Sequence, residues 1–132
     1  MSRRPYFNER HENLKQRTKD FGLRVIRMWK SLPTNTLSEV LGKQLLRCAT
    51  SVAANYRAAC LAKSDPDFFN KIKICQEEAD ESCLWIEYII EAGILPEYKF
   101  RHKSGDYFSE IFRQKRCHYG HLFFFYRMSE PY

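Results

Sequence analysis

Leu14, Thr18, Phe21, Val25, Met28 and Leu32 recur at intervals of 4, 3, 4, 3 and 4, the spacing that puts one stripe on the buried side of an amphipathic helix. Pro33 cannot continue that pattern, so a first helix is predicted over 10–32. Thr36 with Glu39 three residues later has the form of a capping box, which predicts a second helix over 37–63. Its stripe is Leu37, Leu41, Leu45, Cys48, Val52, Tyr56 and Ala59, with no proline before Pro66. There the chain restarts: Ser64 or Asp65 can cap, Pro66 suits the first turn, and Asp67 complements the helix dipole. Phe69, Ile72, Gln76, Ala79, Cys83, Ile86 and Ile90 carry the 3 and 4 spacing through a predicted third helix, 66–92, and Gly93 suits the position just past its end. No stretch alternates convincingly in the manner of a half-buried strand.

Three long helices joined by short turns pack most simply as an up-and-down antiparallel bundle. The expected fold is therefore all-α, a four-helix bundle forming one domain over 1–132. The fourth helix, expected at 106–128, is atypical: its apolar residues gather in HLFFFYRM, and Gly120 interrupts it.

Charge adds a polarity to this picture. Residues 1–63 hold 13 Lys or Arg against 4 Asp or Glu, residues 64–96 hold 2 against 8, and residues 97–132 hold 7 against 4. The segments thus carry +9, −6 and +3, and the chain +6, which favours anionic partners such as nucleic acid or an acidic protein face. MSRRPYFNER lacks a signal-peptide pattern, and no uncharged apolar run reaches the roughly 20 residues that span a bilayer. The expected location is the cytoplasm, with no membrane role. Cys48, Cys60, Cys75, Cys83 and Cys117 form no C-x-x-C pair and read as reduced thiols among apolar neighbours.

Within the second helix, nine of the thirteen residues from Cys48 to Cys60 are Ala, Cys, Ser or Thr. Small side chains let another backbone approach. Ser51 and the alanines then permit close helix or subunit packing, and Asn55, at the edge of the stripe, reads as an amide that fixes register. At 100° per residue, Lys43, Arg47 and Arg57 fall within a sector of about 80°, and Arg17, Arg24 and Arg27 make a similar row on the first helix. Such rows suit phosphate contacts, which are largely neutralisation by Lys and Arg with counterion release. The alternatives are a solvated face or pairing with the acidic third helix, where Glu77, Glu78 and Glu81 lie together in QEEADE.

Those carboxylates also raise the question of a metal. A di-iron bundle needs Glu-x-x-His on two helices, and no histidine lies between His11 and His102. Cys117, His118 and His121 resemble part of a zinc site, but a fourth ligand is missing. No metal and no cofactor are expected. Trp29, Trp85 and Tyr88 fall near core stripes. The glycines are scattered singly, with no phosphate-binding loop or nucleophile elbow, so no catalytic residues are assigned and the expected protein is not an enzyme.

GKQLLRCATSVAANYRAA, DFFNKI and EEADESCLWIEYI, in this order and spacing, resemble the bacterial four-helix bundle proteins known as 23S ribosomal RNA intervening-sequence proteins. The resemblance covers about residues 20–95. It implies a four-helix bundle assembled as a homo-pentamer around a central channel. It also implies likeness to the accessory protein of diversity-generating retroelements, a basic pentamer that binds nucleic acid and a reverse transcriptase. The family label records where some of its genes sit and does not imply a ribosomal function. After Leu95 the family usually continues into a fourth helix rich in Ala, Glu and Leu, whereas this chain ends RQKRCHYGHLFFFYRMSEPY, which reads as a frameshifted or otherwise altered end.

The expected function is thus a non-enzymatic homo-oligomer binding RNA or DNA through basic helix faces without base specificity. The alternative is a protein-binding adaptor or scaffold whose cations meet the acidic third helix of a neighbouring subunit.

Overall fold

The computed structural model describes residues 5–95, with side chains from residue 12 onward. Three helices make up its secondary structure: α1, Pro5–Trp29; α2, Thr36–Cys60; and α3, Asp65–Glu91. The all-α class holds among the described residues. The expected fourth helix at 106–128 lies outside them, as do Cys117, His118 and His121.

Two helix starts carry recognisable caps, one of them displaced from its expected position. Asn35, not Thr36, caps α2: in extended geometry, its side chain accepts from the Ser38 N–H at 2.9 Å. Asparagine is a strong N-cap, and with Asn35 in that role Thr36 is the first helical residue. Glu39 is thereby moved one place too far along to close a capping box, and its carboxylate turns forward to Lys43 at 2.6 Å. Ser64 caps α3 by accepting from Asp67 N–H at 3.3 Å, with Pro66 in the first turn. Past α3, Gly93 takes φ +70, a left-handed conformation suited to glycine.

α2 is the central element, packed on α1 along one side and on α3 along another. Both pairings are antiparallel. Gly22 of α1 lies against Ala49 and Thr50, while Trp29 and Leu32 lie against Gly42, so α1 descends as α2 ascends. On the other side Arg47 reaches Glu81, and the Cys75 thiol donates to the Val52 carbonyl at 3.6 Å. The core between them holds Phe21, Val25, Leu45, Ala49, Val52, Ala79, Ile86 and Ile89, closed at one end by Leu95. Leu45, Val52, Ile86 and Ile89 are fully buried, worth about 1.5–3 kcal/mol each in transfer free energy.

The stripes of α1 and α2 are buried largely as their spacing indicates, although Leu37 is exposed. The α3 stripe is rotated. Its fully turned-in row is Cys75, Ala79, Ser82, Ile86 and Ile89, while Phe69 is 67% exposed and Ile72, Gln76, Cys83 and Ile90 are half-buried. Small Ser82 and Cys75 face α2 because the helices approach closely there, and Ser82 satisfies its hydroxyl on the Glu78 carbonyl at 2.8 Å.

Candidate nucleic-acid interface

The outer face shared by α1 and α2 is assembled by helical spacing on each side. On α1, Lys15, Lys19, Gly22 and Ile26 step by 4, 3 and 4 along one face, and Lys30, in the turn just past the helix, continues the row by donating its N–H to the Ile26 carbonyl at 3.1 Å. On α2, Lys43, Thr50, Ala54 and Arg57 line the facing edge. The antiparallel register sets Lys15 beside Arg57, close enough for the Arg57 charge to act on it. At the opposite end, Lys30 follows Trp29, and Lys43 follows the Gly42 against which Trp29 packs. Between these ends the floor is low, made of Gly22, Thr50 and Ala54. Thr50 turns its hydroxyl into its own helix, donating to the Leu46 carbonyl at 2.8 Å.

Lysines and one arginine thus flank a shallow two-helix surface. From Lys43 to Arg57 the separation is 14 residues, about 21 Å along the helix axis. Lys19, Lys30 and Arg57 are exposed and form no ion pair among the described residues. Lys15 pairs with Glu12 at 2.7 Å and Lys43 with Glu39 at 2.6 Å. The Glu12 hydrogen bond holds Lys15 above the usual lysine range, against the opposing effects of burial and Arg57. Lys43 in turn holds the Glu39 carboxyl below its ordinary value. Such exposed pairs are weak and salt-screened, so phosphate can exchange for either carboxylate.

The seam between α2 and α3 is built differently. Arg47 Nη2 donates to Glu81 Oε1 at 2.6 Å and to Cys48 Sγ at 3.2 Å, while Nη1 stands 3.5 Å from Glu78 Oε2. Trp85 Nε1 donates to the same Glu81 oxygen at 3.2 Å. Glu78 Oε2 is buried and accepts no hydrogen bond among the described residues, so the guanidinium is its compensating charge. Burial would raise the Glu81 carboxyl, yet the Trp85 and Cys48 hydrogen bonds and Arg47 outweigh it and hold the group below the usual carboxylate range. Burial pushes the Cys48 thiol up to about 12. The ligand atoms of Cys48, Glu78 and Glu81 lie within 4.8 Å of one another, but the guanidinium occupies the space among them and the thiol is protonated, which suits an ion pair better than a metal.

Comparison with known proteins adds a family to this geometry. The family model described as 23S rRNA-intervening sequence protein matches residues 10–110. The chain belongs to the 23S rRNA-intervening sequence protein family. It is also similar to a crystallised protein of unknown function from the S23 ribosomal protein family of Bacteroides thetaiotaomicron. The two are 33% identical with a TM-score of 0.62, and the match covers 66% of this chain and 81% of that one. No curated protein matches it.

In this member of the intervening-sequence family, the six cations singled out from sequence do not form one surface. Lys43 and Arg57 sit on the α1–α2 face. Arg47, although on the same helix, leans to the other side and is engaged by α3. Arg17 and Arg24 lie half-buried on the far edge of α1, each already engaged by another group, and Arg27 points outward, exposed. Asn55 donates to the carbonyl and the hydroxyl of Ser51 at 3.0 and 2.9 Å, so its amide is satisfied within α2. Glu77 is exposed, 4.0 Å from Lys73. Sequence reasoning passed over Lys15, Lys19 and Lys30, although their steps of 4, 3, 4 and 4 with Gly22 and Ile26 were a signal, and it placed Trp29 near the core stripe, where the structure leaves it 36% exposed. None of the described helices is long and apolar enough to cross a membrane.

Proposed function

We propose that this protein is a non-enzymatic, cytoplasmic homo-oligomer that binds RNA or DNA through basic helix faces without base specificity, with the α1–α2 face as its principal contact surface. The observation that carries the reading is that cations stand at both ends of one low surface, Lys15 with Arg57 at one end and, at the other, Lys30 and Lys43, which follow the two residues of the Trp29–Gly42 contact. A polyanion meets cations at both ends there. On the floor of Gly22, Thr50 and Ala54 the one side-chain polar group is the Thr50 hydroxyl, whose proton goes to the Leu46 carbonyl, so contacts to phosphate dominate and sequence preference is weak.

The test is binding of a labelled RNA against salt concentration, with light scattering on the same samples. The expected slope of log K against log salt is about −0.7 to −0.9 per phosphate neutralised, on a particle larger than a monomer. A salt-independent or absent affinity refutes the nucleic-acid reading, and a monomer refutes the assembly.

The second reading, a protein-binding adaptor or scaffold, is favoured by the exposed apolar residues Leu37, Val40, Leu84 and Tyr88 on α2 and α3, between 43% and 54% exposed. It predicts negligible nucleic-acid affinity at physiological salt and loss of the assembly when Leu84 and Tyr88 are changed to Ser.

A further inference from the structure

Trp29 is the one large aromatic beside the basic track among the described residues, and it is 36% exposed. Its position is fixed by an unusual neighbour. A Cβ on Gly42 would stand 2.7 Å from Trp29 Cδ1 and 2.7 Å from Leu32 Cδ1, closer than atoms can pack, so a residue larger than glycine would displace the indole or the leucine. The pyrrole edge of the ring is therefore turned to the α2 backbone, with Leu32 packed over the same glycine. Lys30 follows the tryptophan in sequence, and Lys43 follows the glycine.

An aromatic surface held rigidly beside paired cations is the arrangement by which proteins hold single strands: the cations track phosphates while a base stacks on the ring. Duplexes hide their base faces within the stack and present only edges, so an indole gains little from them. Nor does this surface supply what a duplex reader needs. Its floor is low, Thr50 is turned into its own helix, and among the described residues no element projects from it to enter a groove. The roughly 21 Å between the two cation ends corresponds to about six stacked nucleotides at 3.4 Å each, within the span of known single-strand sites.

Resting on the nucleic-acid reading above, we infer that the α1–α2 face is a single-strand site in which one base stacks on Trp29 while Lys30 and Lys43 hold the adjoining phosphates and Lys15 and Arg57 hold those at the far end. Ribose and deoxyribose strands share this chemistry.

The chain has two tryptophans, so Trp85→Phe leaves Trp29 as a single reporter without altering it. Titrating that variant with a 12-nucleotide oligo-dT, a 12-nucleotide oligo-rU and a 12-base-pair DNA duplex is expected to quench Trp29 emission with the single strands and not with the duplex. The tighter of the two strands identifies the sugar. In parallel, Trp29→Ala is expected to weaken single-strand binding roughly 5- to 150-fold, with the salt slope unchanged and Trp29→Phe restoring most of the affinity. Salt-dependent binding without quenching, or with quenching equal for strand and duplex, overturns the stacking inference and leaves the phosphate-binding reading standing. Absence of salt-dependent binding to any of the three probes overturns both.

Discussion

Arg47 and Arg57 stand ten residues apart on one helix and have opposite surroundings. Arg47 meets Glu78 and Glu81 of α3, has its charge matched, and is part of the seam. Arg57 stands beside Lys15 of α1, forms no ion pair among the described residues, and adds to a surface that Lys19 and Lys30 also keep positive. The difference comes from what the neighbouring helix presents. α3 belongs to the acidic segment and α1 to the basic one, so the helix between them acquires a neutralised side and a positive side. Two like residues on one stripe therefore divide into one engaged by the acidic helix and one left on the positive face, to which the proposed function gives the binding role.

The largest effect that can break this contrast is on ligand affinity. Lys43→Glu combined with Arg57→Glu should reduce nucleic-acid binding by at least about tenfold, alike for all sequences, and reduce the magnitude of the salt slope by about 1.4–1.8 for two lost phosphate contacts. Arg47→Ala should leave the slope nearly unchanged. Fluorescence anisotropy at several salt concentrations separates the two, and equal losses for both changes would remove the distinction between the faces.

Next in size is the packing of Trp29. Gly42→Ala places a methyl group where Leu32 and Trp29 already stand. Overpacking of this kind costs about 1–3 kcal/mol, against about 1 kcal/mol gained in helix propensity. A fall in melting temperature is expected, together with a change in Trp29 emission in the Trp85→Phe background. An unchanged or raised melting temperature would show that the two side chains rearrange freely. Gly22→Ala is the control: its added methyl would find only ordinary contacts of 3.8–3.9 Å, so that variant should melt no lower than the parent.

How much of this was legible follows from where the information lies. The α1 stripe could be read because Phe21 and Val25 are large and regularly spaced, and both are buried. The α3 stripe was rotated because Phe69, Ile72 and Ile90 drew it to one side, whereas the inward row takes Cys75, Ser82 and Ile89 in place of Gln76, Cys83 and Ile90. The α2 cap was missed by one residue because Asn35 and Thr36 are both good caps and only backbone geometry decides between them. The Arg47 and Arg57 contrast, and the fit of Trp29 over Gly42, depend on the register between helices, which local spacing does not contain.

Arg47→Ala addresses the seam directly. It leaves Glu78 Oε2 buried without its neighbouring charge and removes the shortest contact to Glu81. Because the Arg47 side chain is 52% exposed, solvent compensates in part, and the expected loss is about 1–2 kcal/mol rather than that of a fully buried pair. Arg57→Ala should cost nothing measurable, or raise stability slightly, since it relieves the charge acting on Lys15. Paired urea titrations give both values, and a larger loss for Arg57→Ala would reverse the assignment.

The smallest expected effect is the response of the seam to acid. Glu81 is held below its ordinary value in the folded protein, so the unfolded chain binds its proton more readily than the native one. Its contribution is then fully present above the ordinary carboxylate range and is lost as pH falls through the folded value. Glu39, lowered by Lys43, behaves in the same direction, so an acid decline in stability alone does not identify the seam. Glu81→Gln isolates it, because the variant lacks this ionisation while keeping an oxygen to accept from Trp85 and Arg47. Urea midpoints between neutral pH and about pH 3.5 should fall less steeply for Glu81→Gln than for the parent, and Arg47→Ala should lie between them, having lost one of the supports that lower Glu81. If parent and Glu81→Gln decline in parallel, the acid response arises outside the seam, and the neutralised side of α2 is held together by its hydrogen bonds and packing instead of by the ionised carboxylate.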